Sequence, residues 1–101
     1  MEINVEIKNL TKEDIINILS EGFKHPRWYK NTVLEVTNNL LNNEYTTIID
    51  SKNVKYSFSL NRLYKGIELF IKNGGNTKIY KYDLFDCDRI IQYALFGIIM
   101  Y

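Results

Sequence analysis

The segment Asp83-Leu84-Phe85-Asp86-Cys87-Asp88-Arg89-Ile90-Ile91-Gln92-Tyr93-Ala94-Leu95-Phe96-Gly97 constrains the fold most. Acidic residues stand where a first helical turn presents unpaired amides, and Ile90, Ile91, Ala94 and Leu95 then recur at helical spacing toward Ile98. A helix capped by Asp83 or Asp86 is predicted, with one apolar stripe that must be buried. Leu60, Leu63, Ile67, Phe70 and Ile71 form a second stripe after Ser59 or Asn61 as cap, and Asn73-Gly74-Gly75 stops it. Two such helices need a shared partner surface, which the rest of the chain must supply.

Much of that surface reads as strand. Ile3, Val5 and Ile7 alternate with Asn4, Glu6 and Lys8, the period of a half-buried strand. The β-rich runs Thr46-Thr47-Ile48-Ile49 and Val54-Lys55-Tyr56-Ser57-Phe58 flank the turn residues Asp50-Ser51-Lys52-Asn53, which predicts an antiparallel hairpin. Between them, Thr11 followed by Asp14 resembles a capping box with Asp in the acidic position, so a helix begins at Lys12. Ile15, Ile16, Leu19 and Phe23 continue it, and Gly22 is expected to close it in a left-handed conformation before His25-Pro26. Residues 27–37 fit an imperfect strand through Trp28, Val33, Leu34 and Val36, against a short helix capped by Thr32. The Asn-rich residues 38–43 read as a loop or frayed turn, and residues 76–82 as a short strand. The expected fold is α+β: one domain over residues 1–101, a small antiparallel sheet packed by about three helices.

Composition narrows the functional classes. The chain has 101 residues, with 13 basic and 12 acidic side chains. A net charge of +1 supplies no global field for nucleic acid or anionic membrane, so direct nucleic-acid binding is not expected. No apolar run approaches the roughly 20 residues that span a bilayer. One cysteine excludes an internal disulfide, and the opening Met1-Glu2-Ile3-Asn4 lacks the basic and apolar regions of a secretory signal, so a cytoplasmic setting is expected.

Each chemical candidate competes with a packing role. Asp83, Asp86 and Asp88 could ligate a hard cation, but acids in a first helical turn complement the macrodipole for about 0.3–1 kcal/mol each, and no metal or cofactor is expected. His25 has no nucleophile motif around it, so no catalytic residue is assigned and the protein is expected not to be an enzyme. Cys87 reads as inert packing among acids, and Gly74-Gly75 as a helix stop rather than a phosphate loop. Lys24-His25-Pro26-Arg27-Trp28-Tyr29-Lys30 sets cations around two aromatic rings. There Trp28 could stack on a base while Arg27 and Lys30 pair with phosphate, although a core anchor with a solvated cationic rim is the favoured reading. Tyr80 and Tyr82 repeat the basic-aromatic interleaving, and Arg62 and Arg89 stand near helix starts. The candidate ligand-binding residues are therefore Arg27, Trp28, Tyr29, Lys30, Arg62, Tyr80, Tyr82 and Arg89. Eight tyrosines exceed what so small a core can bury with every hydroxyl satisfied, which suggests an interface. An AT-rich coding sequence would give the same composition.

Leu10-Thr11-Lys12-Glu13-Asp14-Ile15 with Glu21-Gly22 and Trp28-Tyr29, then Leu60-Asn61-Arg62-Leu63-Tyr64-Lys65-Gly66-Ile67-Glu68-Leu69-Phe70, then residues 86–97, together resemble a group of small accessory proteins encoded by phages and prophages of Firmicutes. The ending is the nearest match, and the Asn-rich middle departs from the pattern. The resemblance implies a setting: a phage product inside a bacterial host cell, where small non-enzymatic proteins blunt antiviral defence. It points to a binding protein that sequesters a nucleotide signal or docks on a host defence protein, a CRISPR component being one example. A phage structural or assembly protein that self-associates through the apolar residues 98–101 is the alternative. A metal-dependent phosphoesterase using Asp83, Asp86 and Asp88 comes third.

Overall fold

Capping chemistry sets where the helices start. In the computed structural model, which describes residues 10–24, 27, 28 and 33–100, the Thr11 hydroxyl accepts from the Asp14 amide at 3.1 Å while the Asp14 carboxylate accepts from the Thr11 amide at 3.0 Å. This reciprocal pair opens α1, Lys12–Gly22. Ser59 caps α3, Leu60–Lys72, through the Arg62 amide. Asp83 and Asp86 form a second capping box at the start of α4, Leu84–Phe96. Gly97, with φ 78°, then adopts the left-handed conformation that ends α4.

The hairpin also forms as its sequence predicts. β1, Thr46–Ile49, and β2, Lys55–Phe58, pair antiparallel with Thr46 opposite Phe58 and Ile49 opposite Lys55. Asp50 organises the turn: its Oδ1 accepts from the Lys52 and Val54 amides, both at 2.9 Å, and its Oδ2 accepts from the Tyr56 hydroxyl at 3.0 Å. Three donors offset the desolvation of a side chain that is only 2% exposed.

α4 is the centre of the molecule. It packs against α3 on one side and α1 on another and reaches β2, while α2, Val33–Leu41, leans on α1 and β1. Ile90 and Ile91 of α4 are fully buried with Ile18 and Leu19 of α1, Leu63 and Ile67 of α3, Leu40, Ile48 and Phe58. Burying each large aliphatic side chain contributes roughly 1.5–3 kcal/mol before chain entropy is counted. The architecture is α+β, with a small antiparallel sheet and four helices, one more than the sequence pattern indicates.

The extra helix is α2, Val33–Leu41, lying where residues 27–37 read as strand and 38–43 as loop. Val36 and Leu40, one turn apart, are both buried, and that packing outweighs the poor helix propensity of Asn38 and Asn39. The Asn preference for left-handed backbone appears just after the helix, at Asn43 with φ 56°. Among the described residues of the expected strand, Trp28 alone makes a β contact, an isolated antiparallel bridge to Asp50. Residues 76–82 form no strand either: Ile79–Lys81 is a 3-10 turn. The Asn76 side chain takes the Lys78 amide at 3.0 Å, and Tyr82 turns inward, edge-on to Phe70 with ring centroids 5.4 Å apart. Gly22 closes α1 without a left-handed turn. It is buried against α4, and a Cβ there would stand 3.0 Å from the Cys87 carbonyl oxygen and collide with Ile91. The strand expected at Ile3, Val5 and Ile7 and the loop residue His25 lie outside the described residues.

Candidate functional site

The residues nominated from sequence separate into three groups. Arg27 and Trp28 belong to the interior, 7% and 8% exposed. The Arg27 guanidinium pairs with Asp88 Oδ1 and lies 5.6 Å from the centroid of its neighbour's indole. Asp88 in turn accepts from Gln92 Nε2 at 3.0 Å, and Gln92 Oε1 accepts from the Met100 amide at 2.9 Å. The chain Arg27, Asp88, Gln92, Met100 thus ties a residue that follows α1 to α4 and to the segment that follows α4. Trp28 packs edge-on to Phe23, at 5.5 Å, and stacks on Phe96 at 6.0 Å. Tyr82 is buried as well, its hydroxyl without a hydrogen-bond partner among the described residues.

A second group is exposed. Arg62 lies on the first turn of α3, and Tyr80 on the 3-10 turn is 75% exposed. Phe85, which the sequence pattern does not nominate, is equally exposed in the first turn of α4, beside Leu84. The 78–85 segment thus presents two open aromatic rings with Lys78 and Lys81 between and before them, also exposed. The missed signal was Phe85 itself, on the outer side of a helix whose inner stripe is already complete. Tyr29 and Lys30 lie outside the described residues.

Arg89 is the third case. It lines a cavity of about 290 Å³ between the loop that closes α3 and the first turns of α4, together with Asn73, Asn76, Asp86 and Tyr93 and with the buried Phe70 ring at its base. Among the described residues Arg89 makes no ion pair or hydrogen bond. Ile99 reaches the same cavity, held there by the neighbouring Met100 amide on Gln92. A wider groove of about 400 Å³ between α1 and α2 is lined by Ile16, Val33, Leu34, Leu41 and the buried Thr37. The two sites place no described sequence-nominated residues together, because among those described Arg89 alone lines either one.

The acidic cluster is accounted for by structure. Asp83 and Asp86 cap α4, Asp88 pairs with Arg27, and no group of three or more potential metal-ligating side chains occurs among the described residues. Burial, with the charges of Glu21, Asp86 and Asp83, pushes the Cys87 thiol up to about 12. It is therefore protonated and unreactive at neutral pH. No helix among the described residues is long and apolar enough to cross a membrane. No family model, curated protein or solved structure matches the chain.

Proposed function

We propose that the protein is a phage-encoded, non-enzymatic binding protein that inhibits a bacterial antiviral defence by docking on a defence protein. The observation that carries this reading is the pair of three-quarters-exposed rings, Tyr80 and Phe85, with Lys78 and Lys81 in one short segment. Open aromatic side chains beside cations are the chemistry of protein interface anchors, and leaving them in water has a cost that a partner removes. The setting rests on the resemblance of residues 86–97 and of the earlier segments to small phage and prophage proteins. Docking is favoured over sequestration of a nucleotide signal, because the groups expected to grip a nucleotide are engaged: the Arg27 guanidinium with Asp88, the Trp28 ring with Phe23 and Phe96.

The test is phage plating on bacteria that carry single, defined defence systems, CRISPR included, with this protein expressed in the host. Restored plaque formation in one defence background is expected, and the double substitution Tyr80→Ala with Phe85→Ala should abolish it without altering the melting temperature. Unchanged restriction in every background, or full activity of the double variant, would refute docking through this surface.

A further inference from the structure

The polar cavity beside Arg89 is separate from the exposed aromatic segment, and its walls have an unusual charge pattern. Asp86 and Arg89 sit three residues apart on α4, a spacing that brings Cβ atoms to about 5–6 Å and commonly produces an ion pair. They do not pair here. Asp86 Oδ2 is committed to the Asp83 amide at 3.1 Å as part of the capping box, which fixes the carboxylate at the helix start and leaves Oδ1 without a hydrogen bond. The cavity therefore holds one unpaired guanidinium and one half-used carboxylate, side by side.

The loop that closes α3 adds directed polar atoms of both kinds. Asn73 donates its amide to the Leu69 carbonyl at 2.7 Å, so its side-chain oxygen remains as an acceptor. Asn76 accepts from the Lys78 amide at 3.0 Å, so its side-chain NH₂ remains as a donor. The Tyr93 hydroxyl is likewise uncommitted, and the Phe70 ring supplies an apolar base.

We propose that this cavity binds a small zwitterion in which a carboxylate adjoins an ammonium, the chemistry of a free α-amino acid. The ligand carboxylate takes the planar fork of Arg89 in a charge-assisted, bidentate contact, and its ammonium donates to Asp86 Oδ1. Asn73 and Asn76 complete the polar shell, and the ligand side chain rests against Phe70 and Tyr93. Charge balance selects this class. A phosphate dianion would meet a single cation and be repelled by Asp86, and a bare cation would be repelled by Arg89, whereas a zwitterion matches both. Size agrees: about 290 Å³ lies at the small end of ligand pockets, which run roughly 300–1,000 Å³, and is too small for a dinucleotide.

The experiment is a titration of the isotopically labelled full chain, followed by amide NMR shifts, with the proteinogenic α-amino acids singly and with acetate, methylammonium, inorganic phosphate and AMP. At least one amino acid should give saturable shifts at Gly74, Gly75, Asn76 and Arg89. Arg89→Gln and Asp86→Asn should each weaken it about tenfold or more. An Asn side-chain oxygen at position 86 can still accept from the Asp83 amide, the Asp83 cap is untouched, and Arg89 is exposed, so both variants should keep the wild-type circular dichroism. Absence of saturable shifts with every amino acid at millimolar concentration would overturn the proposal. So would equal shifts with acetate or phosphate, binding of AMP alone, or unchanged affinity in Asp86→Asn.

Discussion

Gly66 illustrates how much a single residue decides in this protein. A Cβ at this position would stand 2.6 Å from the Ile90 carbonyl oxygen and 2.8 Å from the Ala94 methyl, so α3 and α4 meet across a bare backbone. Alanine is the better helix former by about 1 kcal/mol, but overpacking against backbone that cannot retreat costs about 1–3 kcal/mol. Gly66→Ala is therefore expected to lose stability, by up to about 2 kcal/mol, seen as a lower urea midpoint. Thr37 has the opposite sign. Its hydroxyl is buried with no hydrogen-bond partner among the described residues, and valine has nearly the same shape. Thr37→Val should raise stability by about 1 kcal/mol in the same measurement. Arg27 is the residue whose role sequence could not settle, because Asp88 lies 61 positions away. Its basic-aromatic neighbourhood was visible, and its carboxylate partner was not. Breaking this pair by Arg27→Ala leaves Asp88 partly buried without its cation and should cost about 2 kcal/mol, less than a wholly buried pair because Asp88 retains some solvent.

Among the elements, the hairpin depends most on one side chain. Burial by itself would raise the Asp50 carboxyl, but the Val54 amide, the Tyr56 hydroxyl, the Lys52 amide and the Lys52 charge together hold it below its ordinary value of 3.8. A carboxyl lowered by folding contributes stability that is complete above the ordinary value and disappears as pH falls through the folded one. Asp50→Ala should thus cost about 2–3 kcal/mol at neutral pH, since it removes hydrogen bonds to a charged acceptor. The variant should also lose less stability than the wild type between about pH 5 and pH 3, as followed by thermal unfolding. This turn was legible because Asp, Ser, Lys and Asn interrupt two β-rich runs within a few residues. The capping box at Thr11 was legible for the same reason, since cap and acceptor lie three positions apart, whereas at α4 the sequence offered Asp83 or Asp86 as cap and the structure uses both reciprocally. α2 was not legible. Its Asn-rich C-terminal half argues locally against a helix, and only burial of Val36 and Leu40 against neighbouring elements reverses that preference.

On the scale of the whole molecule, the buried ionisable groups predict alkaline sensitivity. Burial, aided by the Asp86 and Cys87 charges, pushes the Tyr82 phenol from 10.0 up to about 12, and the Cys87 thiol rises from 9.0 to about 12. Between about pH 9 and pH 12 the unfolded chain releases both protons while the folded one keeps them, so the unfolded state binds fewer protons and stability falls as pH rises. Melting temperature should decline steadily over this range, and Tyr82→Phe should flatten the slope while preserving the edge-on contact with Phe70. Sequence by itself determined the mixed helix-and-strand class, the helix start at Lys12 and the hairpin, and narrowed two further helix starts to a pair of caps each, because each depends on side chains within about four residues of the backbone they satisfy. Tertiary structure alone decided that Gly22 serves close packing rather than a turn, that Arg27 faces inward beside a Trp28 whose core role the sequence already favoured, and that Arg89 stands in the wall of a cavity. Those outcomes depend on which distant surfaces α4 brings together. Spacing along a chain carries no record of such contacts until the helices have packed.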